Sequence, residues 1–182
     1  MASTIGVDTI QNSTSGTTGM TVSSAGVVVM PNRPAFACHL ESTVTLDGNN
    51  GWAAATGSGG LSSGTWDWNI THGGYNVGGH WSDSNNRFTA PIAGLYSFTF
   101  SLVMAAAGNK VTCRLQNNDG HSRYAGTNFV GGTAMNVPSG TAQFILDASD
   151  YVTIEVGYER TNNVEGDSGG FGRSWWSGYL IG

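Results

Sequence analysis

The chain has 182 residues, a length that suits one domain with a short appendage, and a domain near this size buries about 70% of its unfolded surface. Only 10% of the residues are charged, against about 25% in an ordinary domain, so Ser, Thr, Asn and Gly must cover the surface. The net charge of −5 includes a single lysine, Lys110, and scattered arginines, which excludes a basic stripe able to neutralise a run of phosphates, and nucleic acid with it.

The start, Met1-Ala2-Ser3-Thr4, lacks the charged and apolar regions of a secretory signal, so synthesis in a cytoplasm without export is expected. No apolar run is long enough to span a membrane, and no membrane insertion is expected. Up to residue 33, short β-prone snippets alternate with Ser/Thr/Gly turns: Ile5 to Ile10, Met20 to Val22 and Val27 to Met30. These snippets hold too few apolar residues to make a core of their own. Residues 1–33 are therefore either a flexible tail or, as the apolar run at Val27 to Met30 favours, an arm that needs a partner, with Val7, Ile10, Val22 and Val28 as its attachment positions. Pro31 and Pro34 mark its boundary.

Residues 34–182 form a series of short strands with turn residues between them and no helical spacing. Strands are predicted over 36–45, 65–70, 79–82, 87–89, 94–104, 110–117, around Met135, and over 141–147, 150–160 and 174–181. The pattern implies an all-β antiparallel sandwich or jelly roll. In NRFTAPIAGLYSFTF, residues 86 to 100, Tyr96, Phe98 and Phe100 share one face of a strand. Pro91 and Gly94 ahead of them read as a hairpin turn. Strand 151–158 likewise sets Val152, Ile154, Val156 and Tyr158 against Thr153 and Glu155. The last strand, SWWSGYLIG, is apolar on both faces: Trp176 and Leu180 on one, Trp175, Tyr179 and Ile181 on the other. A two-sheet sandwich covers only one face of each sheet. The second face therefore asks for another copy of the chain, with Trp175, Tyr179 and Ile181 as the interface.

Several of these residues recur together. Asn76, Trp81, Phe88 and then Gly94-x-Tyr96-x-Phe98-x-Phe100 resemble the signature of the complement C1q globular domain, a member of the tumour necrosis factor jelly-roll superfamily. Pro34-Ala35-Phe36 resembles its opening strand and Trp176-Ser177-Gly178-Tyr179-Leu180 its closing one. Leu146 to Val152 resembles its Leu-x-x-Gly-Asp-x-Val turn, with Ser149 in place of Gly. Where the signature has a Phe, Ile70 stands. The resemblance covers roughly residues 34 to 182 and implies a ten-stranded jelly roll, first and last strands adjacent, that forms a homotrimer. Vertebrate members carry a collagen stalk and a secretion signal, and neither is seen here. The leader from Val7 to Asn12, followed by a Ser/Thr/Gly stretch and Val27 to Pro34, is instead similar to the N-terminal arm of virion proteins of tailed bacteriophages.

Chemistry is sparse. His39, His72, His80 and His121 lack metal-ligand spacing, and no nucleophile motif sits between a strand and a helix, so no enzyme is expected. Cys38 and Cys113 each sit in an apolar strand pattern and read as reduced thiols, although a bridge between them would close a long loop. Asp119, Asp147, Asp150, Glu165 and Asp167 could meet at loop tips around calcium, but loop carboxylates are more often simply solvated. Trp66 and Trp68 share a strand face and read as core, which leaves Trp52, beside Gly51, as the candidate ligand surface. The functional expectation is a structural virion protein of a tailed phage, a trimeric fibre or capsid decoration attached to other phage structural proteins through its arm. A host surface glycan or protein is the further partner. The alternative is a free-standing bacterial glycan- or protein-binding module.

Overall fold

The computed structural model of the chain describes residues 8–11, 14, 15, 18–48, 51–55, 60–71, 73–105, 111–124, 137–167 and 173–182. The chain divides into two compact units, Met1–Arg33 and Pro34–Gly182. In the first, β1 (Thr9–Gln11), β2 (Thr18–Val22) and β3 (Val28–Val29) form an antiparallel meander, with Ile10 opposite Met20 and Val22 opposite Val28. A sheet of three strands this short buries little by itself. Ile10, Val22, Val27, Val28, Val29 and Met30 accordingly remain exposed. Val7 lies outside the described residues.

The second unit continues with β4 (Ala35–Leu40), β5 (Val44–Leu46), β6 (Gly51–Ala54), β7 (Leu61–Ser63), β8 (Trp68–Asn69) and β9 (Tyr75–Val77). It then runs through β10 (Trp81–Ser82), β11 (Arg87–Thr89), β12 (Gly94–Ser101), β13 (Val111–Asn117) and β14 (Ser122–Tyr124). Last come β15 (Ser139–Leu146), β16 (Tyr151–Tyr158), β17 (Asn163–Val164) and β18 (Trp175–Leu180). One sheet runs β15-β12-β18-β4, with β8 and β9 both pairing β4. The other runs β10-β11-β16-β13-β14, with β6 also on β16, and a small sheet joins β17, β5 and β7. Every strand pairing in this unit is antiparallel, the first and last long strands, β4 and β18, lie side by side, and the described residues include no helix. The unit is an antiparallel jelly-roll sandwich.

The aromatic alternation of β12 faces the core. Tyr96, Phe98 and Phe100 are fully buried, and across the sandwich Phe88 meets Tyr96 and Phe98 with ring centroids 5.6 Å apart in both pairs. Phe36 stacks on Trp81 at 5.1 Å and on Phe88 at 5.2 Å, while Trp176 stands edge-on to Phe36 at 4.7 Å. Contacts of this geometry add about 0.5–1.5 kcal/mol per pair beyond area burial.

Several expected elements change in the fold. The Pro91–Gly94 segment is no hairpin, because β11 pairs β16 and β12 pairs β15 and β18. It carries the chain from one sheet to the other, and β12 is an interior strand. The strand expected over 36–45 breaks after Leu40, since β5 leaves to pair with β17 and β7. That expected over 65–70 contracts to Trp68–Asn69 because the Asn86 side chain takes the place of a neighbouring strand. Its amide donates to the Trp66 carbonyl at 2.6 Å and its oxygen accepts from the Trp68 N–H at 3.3 Å. The strand expected to Met104 ends at Ser101, and Met104 survives as an isolated bridge to Val164. Lys110 and the region around Met135 fall outside the described residues.

The β15–β16 turn accounts for a further feature of the sequence. Ser149 adopts φ +78°, a conformation that suits Gly, and it is solvent-exposed. A left-handed L-residue costs roughly 1–2 kcal/mol, part of which Gly returns as unfolded-chain entropy. Ser149→Gly is expected to stabilise the fold by about 0.5–1 kcal/mol in urea denaturation, while Ser149→Val destabilises it.

Candidate functional site

Two surfaces of the second unit present side chains that the fold itself does not use. The first is the outward face of the β15-β12-β18-β4 sheet. In register, Tyr179 lies between Ser97 and Ala35, and Ala35 opposite Val77; Trp175 lies between Ser101 and His39. Trp175 remains 37% exposed and Tyr179 49%, Ile181 is half-buried, and Tyr75 and Ile145 are exposed on neighbouring strands. The small and hydroxyl side chains Ala35, Ala37, Ser97 and Thr99 lie among them, so the aromatic rings stand proud of a shallow surface.

Trp81, Phe88, Gly94, Tyr96, Phe98 and Phe100 do the opposite and build the interior. The Asn76 amide clamps Trp81 from both sides, donating to its carbonyl and accepting from its N–H, each at 3.0 Å. This closes the Gly78-Gly79 turn, where both glycines have positive φ, and sets the Trp81 indole on Phe36. The indole N–H donates to Asp83 at 2.6 Å. Gly94 leaves room for Leu180, which a Cβ would meet at 2.7 Å.

The second surface is the outward face of the other sheet. Trp52, on β6, lies over Gly157, and a Cβ at 157 would meet its ring at 3.0 Å. The Arg114 guanidinium sits 4.1 Å from the Trp52 ring and pairs with Glu155 at 2.5 Å. Trp52 is 41% exposed, yet one part of its surface is already committed to Arg114 and the β16 backbone. Beside it lies an open groove of about 460 Å³. Its floor is the outward face of β11, β16 and β13 around Arg87, Tyr151 and Glu155. Its walls are the β10–β11 turn at Asn85 and the β13–β14 turn at Asn118.

The carboxylates of the loops do not converge. Asp150 Oδ1 accepts from Asn118 at 2.9 Å and its Oδ2 from the Asp147 N–H at 2.8 Å, while Asp119 accepts from Asn117 and Asn118. Glu165 pairs with Arg173 at 2.9 Å, and the Asp167 N–H donates to Leu40, on a different part of the fold. Among the described residues no three His, Cys, Asp or Glu groups gather as a metal site. Cys38 and Cys113 are both buried free thiols, pushed up by burial, and therefore poor nucleophiles. His39 is buried, His121 exposed, His80 is lowered by burial, and His72 lies outside the described residues.

Tyr158 carries a pH dependence. Burial and the hydrogen bond to Asp47 at 2.7 Å push its phenol up to about 12, and the hydroxyl also bonds the Gly60 carbonyl. The folded state thus holds this proton more tightly than the unfolded chain, whose tyrosines titrate near ~10. Its stabilising contribution is complete below about pH 10 and is lost as the pH rises towards 12. Urea midpoints are expected to fall over this window in the native chain and to fall less in Tyr158→Phe.

The sequence profile of the C1q domain matches residues 69–181. The chain belongs to the C1q domain family. Among solved structures, the globular domain of zebrafish complement 1qA is similar at 19% identity and a TM-score of 0.53, covering 82% of this chain and 98% of that one. Murine APRIL at pH 5.0 is similar at 9% identity and a TM-score of 0.56, covering 82% and 99%. Identities this low establish the shared jelly-roll fold alone. No curated protein matches the sequence.

Within this C1q domain, sequence reasoning singled out Trp52 but missed the groove next to it. One signal was present: Arg87 precedes Phe88, and Tyr151, Thr153 and Glu155 alternate with the buried positions of β16, so all four point outward. Nothing local joins Asn85 to Asn118, since tertiary pairing alone brings their turns together.

Proposed function

We propose that the chain is a trimeric structural virion protein of a tailed phage, a fibre or capsid-decoration component, held on the particle by residues 1–33 and presenting its C1q head to the host surface. The observation that carries the reading is the architecture: a C1q head preceded by a separate unit of short strands with Ile10, Val22 and Val27 to Met30 outward. Apolar strands with open edges are stable when another chain pairs with them or covers them. The resemblance of the leader to phage virion arms supplies the class of partner. In the head, Trp175, Tyr179 and Ile181 form the contact between three copies, which removes from water the face that a single sandwich leaves bare. The role is binding and assembly, with no catalytic step.

The test is proteomic and genetic. Purified particles of a tailed phage that encodes the chain should contain it, and deletion of residues 1–33 should remove it from the particle while residues 34–182 still fold. Particles lacking the intact protein would overturn the virion role and leave the free-standing binding module as the reading.

A further inference from the structure

The groove on the outward face of β11, β16 and β13 contains an uncommitted cation. Arg114 is paired with Glu155 and Arg173 with Glu165. The Arg87 side chain makes no hydrogen bond or ion pair among the described residues, and its Nε is buried without a partner. Among the described residues its guanidinium is held by the Tyr151 ring, 4.3 Å from the centroid. A guanidinium fixed over an aromatic ring with its donors unused is poised for a carboxylate, whose two oxygens match the planar fork.

The rest of the lining narrows the ligand. Glu155 brings no net repulsion, because Arg114 neutralises it and the Gln116 amide, with its nitrogen turned towards Glu155, donates at 2.6 Å. Asn118 is a rigid wall: it donates to Asp150, and its oxygen accepts from the Tyr151 N–H at 2.8 Å. Ser84, Asn85 and Gln116 add hydroxyl and amide groups. A peptide would want an apolar or aromatic anchor pocket, and the only ring lining this groove already carries Arg87. A nucleic acid would want several cations, and Arg87 is the only Lys or Arg in the lining. A simple anion would leave most of about 460 Å³ unfilled.

From this geometry we propose that the groove binds an acidic oligosaccharide, with the carboxylate of a uronic-acid residue on Arg87 and sugar hydroxyls on the amide-lined walls. The proposal goes beyond the virion reading and stands whether or not the chain is carried on a particle.

The test is an NMR titration of the full chain with tri-galacturonate, galactotriose and sodium acetate. Tri-galacturonate is expected to shift the backbone amides of Asn85, Asn118 and Gly120, and to bind about tenfold or more tighter than neutral galactotriose. Acetate is expected to be weaker again. Arg87→Met, which keeps the stem over Tyr151, should abolish the preference for the acid. Arg87→Lys should retain it in part, and the unchanged spectrum of the core residues reports that each variant is folded. Absence of shifts in the groove, equal binding of galactotriose or acetate, or a preference unchanged in a folded Arg87→Met would each overturn the proposal.

Discussion

Gly178→Ala is expected to lower the melting temperature of the head by about 10 °C. A Cβ on Gly178 would overlap the rings of Phe98 and Phe36, both fully buried. Neither ring has somewhere to go. Phe36 is stacked between Trp81 and Phe88 and capped edge-on by Trp176, and Phe98 is wedged against Phe88 and Phe144. Overpacking of a tight core costs about 1–3 kcal/mol and occasionally more. This site belongs at the upper end, and each kcal/mol shifts the melting point of a domain of this size by about 2–4 °C. Gly178→Val should prevent folding altogether. A calorimetric scan checks both, and a melting point within 2 °C or so of the native value for Gly178→Ala would show that the ring stack has slack.

If the chain assembles through the proposed β18 face, Tyr179→Asp is expected to leave a monomer without loss of the fold. The side chain points away from the core, half exposed, on β18 beside Ser97 and Ala35. In the proposed trimer, every copy would bury this carboxylate against the same apolar surface, and an unpaired buried charge costs several kcal/mol. Three such sites close one assembly, so the loss is multiplied rather than shared. The circular dichroism spectrum should stay native while the sedimentation coefficient falls to that of a single chain. Trp175→Ala should act in the same direction and more weakly, because it removes contact area without adding charge.

The core could be read from the sequence wherever one residue type serves one contact. The spacing Asn76, Trp81, Phe88, Gly94, Tyr96 reports a clamp, a stack and a close approach, each demanding its own side chain. Ser149 shows the same logic by exception, holding a left-handed backbone conformation that suits glycine. Strands such as β6, β7 and β9 were hidden because their pairing is set by distant segments. Gly51 and Trp52 are strand residues only because β16 offers Tyr158 and Gly157 as partners. The hairpin expected at Pro91 failed for a related reason: turn residues announce a change of direction, and they do not say whether the chain returns to its own sheet. The outward aromatic face of β18 was legible because alternation assigns its side chains to opposite faces. Its neighbours Tyr75 and Ile145 emerged only once the register was known.

The solution mass of the full-length chain, measured by light scattering at several concentrations, bears most directly on the account. One chain weighs 18.9 kDa. Closure about a three-fold axis through the Trp175, Tyr179 and Ile181 face gives about 57 kDa, constant on dilution. A stable species of single-chain mass at every concentration would contradict it and leave that aromatic face without the partner assigned to it.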